Sequence, residues 1–214
     1  MRPVVCMITA PMASSADGDD ILRRIESAAR AGVHLIQIRQ PQIHTLALTR
    51  LVERACRTVA GSPARVLVND RMDVALAAGA HGVHLRGDSI GAPRVRSLAP
   101  AGFIVGRSVH GKDEALAVER DGGLDYLLFG TVFASRSKPE VVPAGVDRLA
   151  AVCAAVALPV LAIGGLSAAS VQSVAGAGAA GFAAIGLFNS GPIGGLPAVV
   201  ADVTAAFDSP AGLS

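Results

Sequence analysis

Short β-branched runs, almost free of charge, alternate along the chain with longer stretches whose apolar positions recur every three to four residues. Val4–Thr9 reads as a strand. Asp20–Ala31 reads as a helix, because Ile21, Leu22, Ile25, Ala28 and Ala29 share one face at helical spacing and Gly32 stops the run. The same alternation predicts strands over His34–Ile38, Arg65–Val68, Gly82–Leu85, Phe103–Gly106, Asp125–Phe129, Pro159–Ile163 and Gly181–Ile185. Helices are predicted over His44–Val59, Met72–Ala78, Ala92–Leu98, Lys112–Arg120, Gly145–Val156, Ser167–Ala177 and Leu196–Phe207, with Ser167 as an N-cap. Eight strands and eight helices in strict order imply parallel strands joined by right-handed crossovers. The strands are nearly continuously apolar, as strands buried on both faces are. Eight such units in 214 residues fit an α/β chain folded as one (β/α)8 TIM barrel domain over 1–214. The alternative, an open doubly wound sheet, calls for a glycine-rich phosphate loop after the first strand. The segment there, TAPMASSADGDD, contains none.

Composition narrows the function classes. Hydrophobic residues make up 51% and charged residues 17%, which excludes a disordered chain. Nineteen basic against 17 acidic side chains give a net charge of +2, with no Trp and one Tyr. That balance, without a run of like charge, argues against a nucleic-acid partner. No apolar stretch is long enough to span a membrane, and the N-terminal run is too short for a secretion signal. A cytoplasmic protein is the expectation. Cys6, Cys56 and Cys153 are far apart and odd in number, so they read as small buried hydrophobes rather than a disulfide or metal set. The Gly- and Ala-rich helices leave room for a homodimer interface.

In a barrel of this kind reactive groups gather where the strands end. Arg39 follows the second strand, Asn69, Asp70 and Arg71 the third, and Arg86, Asp88 and Ser89 the fourth. Arg107, Ser108 and His110 follow the predicted fifth strand, and Thr131, Ser135, Arg136, Ser137 and Lys138 the sixth. Gly164-Gly165 follow the seventh strand, and Ile185-Gly186 and Asn189 stand at the end of the eighth. The glycine pairs read either as tight turns or as backbone N–H groups that hold a phosphate. Arg39, Arg107 and Lys138, with Ser108, suit a second phosphate or a diphosphate if they converge; each alone reads equally as a solvated loop residue. Asp70 and Asp88 suit a Mg²⁺ ion bridging phosphate oxygens, and Asp70 alternatively reads as a helix cap. His84, inside a strand, reads as a core histidine; His110, at a strand exit, reads as an acid/base or a substrate contact. His34, His44 and His81 receive no role. The irregular stretch Ala134–Ala144 reads as a mobile loop over the site.

The segments VNDRMDVALAAGAHGVHL, GRSVHGKDEA, DYLLFGTVFASRSKP, PVLAIGGL and GAAGFAAIGLF follow one another in that order, after QIRQ at the second strand. As an ordered set over residues 34–188 they resemble the thiamine phosphate synthase and TenI superfamily. The resemblance implies a (β/α)8 barrel of thiamin biosynthesis. Its synthases join a hydroxymethylpyrimidine diphosphate to a thiazole phosphate and release diphosphate with Mg²⁺; its TenI branch tautomerises the thiazole phosphate. By this resemblance Arg39, Ser108 and Lys138 contact the diphosphate, Asn69 and Asp70 form the Asn-Asp pair whose Asp binds Mg²⁺, and Gly165 with Ile185-Gly186 holds the thiazole phosphate. The sequence also departs from the pattern. Pro41 replaces a clamp Lys, Ser89 occupies the place of the second metal Asp with Asp88 one position earlier, and Ala10 stands where the first strand motif ends in Asp. Thr131 stands where the tautomerase has its His, which leaves His110 as the base for that reaction. The expected function is therefore the coupling of small phosphorylated pyrimidine and thiazole substrates. A thiazole tautomerase and a non-catalytic phosphate-ligand sensor are the alternatives.

Overall fold

Eight strands close on themselves in sequence order, each parallel to the next: β1 (Val4–Ile8), β2 (Leu35–Ile38), β3 (Arg65–Asn69), β4 (Gly82–Leu85), β5 (Ile104–Val109), β6 (Tyr126–Gly130), β7 (Val160–Ile163) and β8 (Gly181–Ala184). Closure comes from β8 pairing β1, with Phe182 opposite Val5 and Ala183 opposite Cys6. The computed structural model describes residues 3–12, 17–135 and 139–209. The helices among them are α1 (Asp17–Arg30), α2 (Thr45–Thr58), α3 (Met72–Ala77), α4 (Ala92–Arg96), α5 (Lys112–Asp121), α6 (Gly145–Cys153), α7 (Val171–Gly176), α8 (Gly186–Asn189) and α9 (Leu196–Asp208).

Alternation along the strands divides the core in two. Ile36, Ile38, Val66, Val68, Val105 and Phe129 point outward and pack against helices such as α1 and α2, whose Ile25, Ala28, Val52 and Ala55 are fully buried. Cys6, Ile8, Leu35, Leu67, Leu128 and Leu161 point inward and fill the barrel. Tyr126 joins them because β5 carries Gly106 beside it: a Cβ there would lie 2.1 Å from the tyrosine ring. Burial pushes the Cys6 thiol up to about 12 and the half-buried Cys56 and Cys153 thiols up to about 11, and all three are free cysteines.

Beyond end shifts of one to three residues, as at α1 and α6, three elements differ from the sequence reading. Strand β5 runs to Val109 rather than stopping at Gly106, so Arg107 and Ser108 lie within it. Helix α7 starts at Val171, not Ser167. The Ser170 hydroxyl donates to the Ser167 carbonyl and accepts from the Ser167 N–H, so residues 167–170 close a hydrogen-bonded turn ahead of the helix. A further short helix, α8, intervenes between β8 and the closing helix α9.

At the N-terminal rim, polar side chains fasten backbone. His34 Nδ1 accepts the Val5 N–H and His81 Nδ1 accepts the Val66 N–H, each at 3.1 Å. Arg96 donates to the Gly123 and Phe103 carbonyls and to the Asp125 carboxylate, which also accepts the Val105 N–H. No helix of the described residues is long and apolar enough to cross a membrane.

Candidate active site

A path of hydrogen bonds runs round the C-terminal rim, strand to strand. Asn189 of α8 donates to the Ile8 carbonyl at 2.9 Å and accepts the Ala10 N–H. The Thr9 hydroxyl, just past β1, accepts the Arg39 N–H at 3.0 Å and the Gln40 amide at 3.1 Å. The Gln37 amide, buried in the barrel mouth on β2, donates to Asn69 Oδ1 on β3 at 2.9 Å. The Asp70 N–H donates to the His84 carbonyl at 2.8 Å. His84 Nε2 meets Ser108 Oγ on β5 at 2.9 Å, and its Nδ1 meets the Tyr126 hydroxyl on β6 at 2.9 Å. His110 Nδ1 lies 2.6 Å from the Gly130 carbonyl. The segment after β6 is tied to β7, with the Val132 N–H on the Ile163 carbonyl and the Phe133 N–H on the Gly164 carbonyl.

Several groups on this path keep unused hydrogen-bonding capacity. The half-buried Arg39 guanidinium has no hydrogen-bond or ion-pair partner among the described residues. Gln37 Oε1 is buried and unpaired. A carbonyl can only accept, so His110 Nδ1 carries a proton, and Nε2 has no partner among the described residues. Burial, with the Arg107 charge adding to it, brings the His84 pKa down to about 3, so that imidazole is neutral.

Asp70 does not cap α3, whose N-cap is Arg71 with no side-chain bond. It holds φ at +61°, the sole non-glycine with positive φ among the described residues. Such a conformation is uncommon outside glycine and clusters at functional sites. Its carboxylate accepts the Ser89 hydroxyl, and Arg86 stands 4.0 Å away. Asp88 turns instead to Arg86, at 2.7 Å, and is exposed. The residue beside Asp70 is therefore Ser89. No cluster of three His, Cys, Asp or Glu exists among the described residues. One carboxylate with a neighbouring hydroxyl is a hard-oxygen set that suits Mg²⁺ when substrate phosphates and water complete the shell.

The expectation that Arg107 joins Arg39 at a diphosphate is corrected. Arg107 is buried, and its guanidinium donates to the carbonyls of Gly87, Ser89 and Ile90. Because neighbouring residues of a strand face opposite ways, Ser108 points into the barrel and Arg107 points out. It clamps the loop that presents Ser89 to Asp70. Lys138, and Arg136 and Ser137 with it, lie outside the described residues; the far end of the expected loop is fixed by the Ala144 N–H on the Thr131 carbonyl.

On the opposite side the rim is main chain. Gly165 is exposed with φ +63°, and a Cβ there would lie 2.2 Å from the Ala134 carbonyl oxygen. Only glycine admits that approach. The Ile185 carbonyl opens α8, and the first N–H groups of that helix, from Gly186 and Leu187, have no intrahelical acceptor. Sequence reasoning missed Gln37, Thr9, Gln40 and the His84–Tyr126 pair. For Gln37, His84 and Tyr126 the available signal was a polar residue at an inward position of an otherwise apolar strand; Thr9 and Gln40 lie past the strand ends and carry no such mark.

Residues 5–188 match the profile of a family described as thiamine monophosphate synthase. A thiamine-phosphate synthase of Chlorobium luteolum is 35% identical over 86% of this chain and 84% of its own. One of Anaeromyxobacter dehalogenans is 40% identical over 76% and 73%. Among solved structures, a thiamine phosphate pyrophosphorylase from Pyrococcus furiosus superimposes with a TM-score of 0.82 at 25% identity, covering 96% of each chain.

Proposed function

Because the chain belongs to the thiamine monophosphate synthase family, we propose that it is a transferase joining a hydroxymethylpyrimidine diphosphate to a thiazole phosphate, with release of diphosphate. One observation carries this reading: the two sides of the rim offer different chemistry. From β2 to β5 stand a cation, a carboxylate and a hydroxyl with capacity to spare, suited to a diphosphate. From β7 to β8 stands main chain, half-buried at Gly164 and Ile185 and exposed at Gly165 and Gly186, suited to a monophosphate.

In the reaction the bond between the pyrimidine methylene and the diphosphate oxygen breaks, and its electron pair leaves with the diphosphate. The thiazole nitrogen gives its lone pair to the resulting cation. No proton has to move, so the protein's task is to align the partners and stabilise charge on the leaving group. Arg39 and Ser108 donate to that group; Lys138 joins them on its sequence position alone. Asp70, beside Ser89, would hold a Mg²⁺ ion, which when bound would add to the neutralisation of the diphosphate. The Gln37 Oε1 acceptor, buried and unpaired on an inward side chain braced by Asn69, would take an N–H donor of a heteroaromatic substrate.

Mixing the protein with both substrates and Mg²⁺ is expected to yield thiamine phosphate and diphosphate in equal amounts. No product at high enzyme concentration refutes coupling. Proton exchange on thiazole phosphate alone points to the tautomerase, and its binding without turnover to the sensor.

A further inference from the structure

We propose that Tyr126 and His84 are positioning residues that turn the Ser108 hydroxyl proton toward the barrel mouth. The inference rests on the reading of Ser108 as a diphosphate contact and adds the device that orients it.

The three side chains form a line from the barrel interior to its opening. Tyr126 is buried at 5% exposure and His84 at 1%, while Ser108 is half-buried. The spacings are 2.9 Å from the Tyr126 hydroxyl to His84 Nδ1 and 2.9 Å from His84 Nε2 to Ser108 Oγ. Gly106 clears the space for the tyrosine ring, which stacks on the imidazole with centroids 5.6 Å apart.

A neutral imidazole carries one proton, so the line has two arrangements. In one, Tyr126 donates to Nδ1, the Nε2–H donates to Ser108 Oγ, and the serine proton is left at the open end. In the other, Ser108 donates to Nε2, the Nδ1–H donates to the tyrosine oxygen, and the tyrosine proton is left inside the barrel. The Tyr126 hydroxyl has no second hydrogen-bond partner among the described residues. A buried donor without an acceptor is costly, whereas Ser108 can give its proton to water or an anion in the mouth. That difference favours the first arrangement by about 5- to 150-fold. The imidazole is 1% exposed, and burial favours its neutral, one-proton form. Ser108 is thereby presented as a donor, the polarity that an anionic leaving group requires.

The test uses the full chain with ¹⁵N-labelled histidine, His84 being assigned by the loss of its signals in His84→Gln. Ring nitrogens with and without a proton are well separated in ¹⁵N shift. The expected result is a protonated Nε2 and a bare Nδ1; the reverse overturns the proposal. In Tyr126→Phe both forms are expected, with kcat for coupling two- to fivefold lower and KM for the thiazole phosphate unchanged. His84→Leu is expected to lose about tenfold in kcat, the size of one ordinary hydrogen bond. His84→Gln, whose amide offers one acceptor and one donor, recovers most of it. Ser108→Ala is expected to lose about 10²-fold. Wild-type kcat in Tyr126→Phe and His84→Leu, beside a costly Ser108→Ala, overturns the positioning role and spares the diphosphate reading. Full activity of Ser108→Ala overturns both. If the wild type makes no thiamine phosphate the coupling function fails, and the ¹⁵N shifts still decide which way the hydroxyl points.

Discussion

At the N-terminal rim His34 and His81 each hold a backbone N–H of the neighbouring strand, and Arg96 binds two carbonyls and Asp125. At the C-terminal rim Arg39, Gln37 Oε1, Asp70 and the Ser108 hydroxyl retain capacity that the protein does not use up. Both rims carry histidine, arginine and aspartate, so residue type does not distinguish them. What differs is whether the fold has already consumed the polar group. A consumed group stabilises; a group with a free valence, held in place by its neighbours, can bind.

The comparison breaks most easily at Asp70. Asp70→Asn removes the carboxylate charge beside Ser89 and keeps the shape. It is expected to lower coupling by about 10³-fold while leaving the urea midpoint nearly unchanged. A large loss of stability would place Asp70 with the consumed groups. Arg96→Met is the converse variant. It leaves two carbonyls and one carboxylate short of a donor and is expected to cost about 2–3 kcal/mol in urea unfolding, with kcat and KM unaltered in the folded fraction.

Acidity sharpens the contrast next. Unfolded His84 takes up a proton near pH 6.5 and folded His84 only near 3, so protons bound in that window favour the unfolded chain. Stability is expected to fall as pH drops from 6.5 towards 3, by up to about 1.4 kcal/mol per pH unit from this group. His81 is also shifted down, by burial and by Arg65, and adds in the same direction. The share belonging to His84 is read as the difference in slope between wild type and His84→Gln. The smallest effect is expected from Gly186→Ala. A Cβ there meets nothing closer than Ser190 Oγ at 3.7 Å, so stability should change by no more than about 1 kcal/mol. If a phosphate lies against that helix end, KM for the thiazole phosphate rises with kcat unchanged. An unaltered KM would move the phosphate off α8.

Much of the fold was legible because its signals are local. The alternation that marks β4 matches its bounds, and every other strand but β5 lies within one residue of its expected ends. Strand β5 reads short in the sequence because Arg107 and Ser108 look like loop residues; nothing local says that one points into the barrel and the other beneath a loop. The candidate site was legible as a set of strand exits, which placed Arg39, Asn69, Asp70, Gly164, Gly165, Ile185 and Gly186 on one rim. It was not legible as a set of roles. Arg107 and Arg39 look alike in sequence, yet one is a buried clamp and the other keeps its guanidinium open.

By itself the sequence determined the eight-unit barrel, the rim of strand exits on which the candidate site stands and the family, because periodicity and motif order lie along the chain. Only the tertiary structure decided which polar groups are consumed. Tyr126 finds His84 across 42 residues, His84 finds Ser108 across 24, Arg107 finds Gly87 across 20, and Ser89 finds Asp70 across 19. Those partners become neighbours when the barrel closes, and a hydrogen bond acts over about 3 Å whatever the distance along the chain.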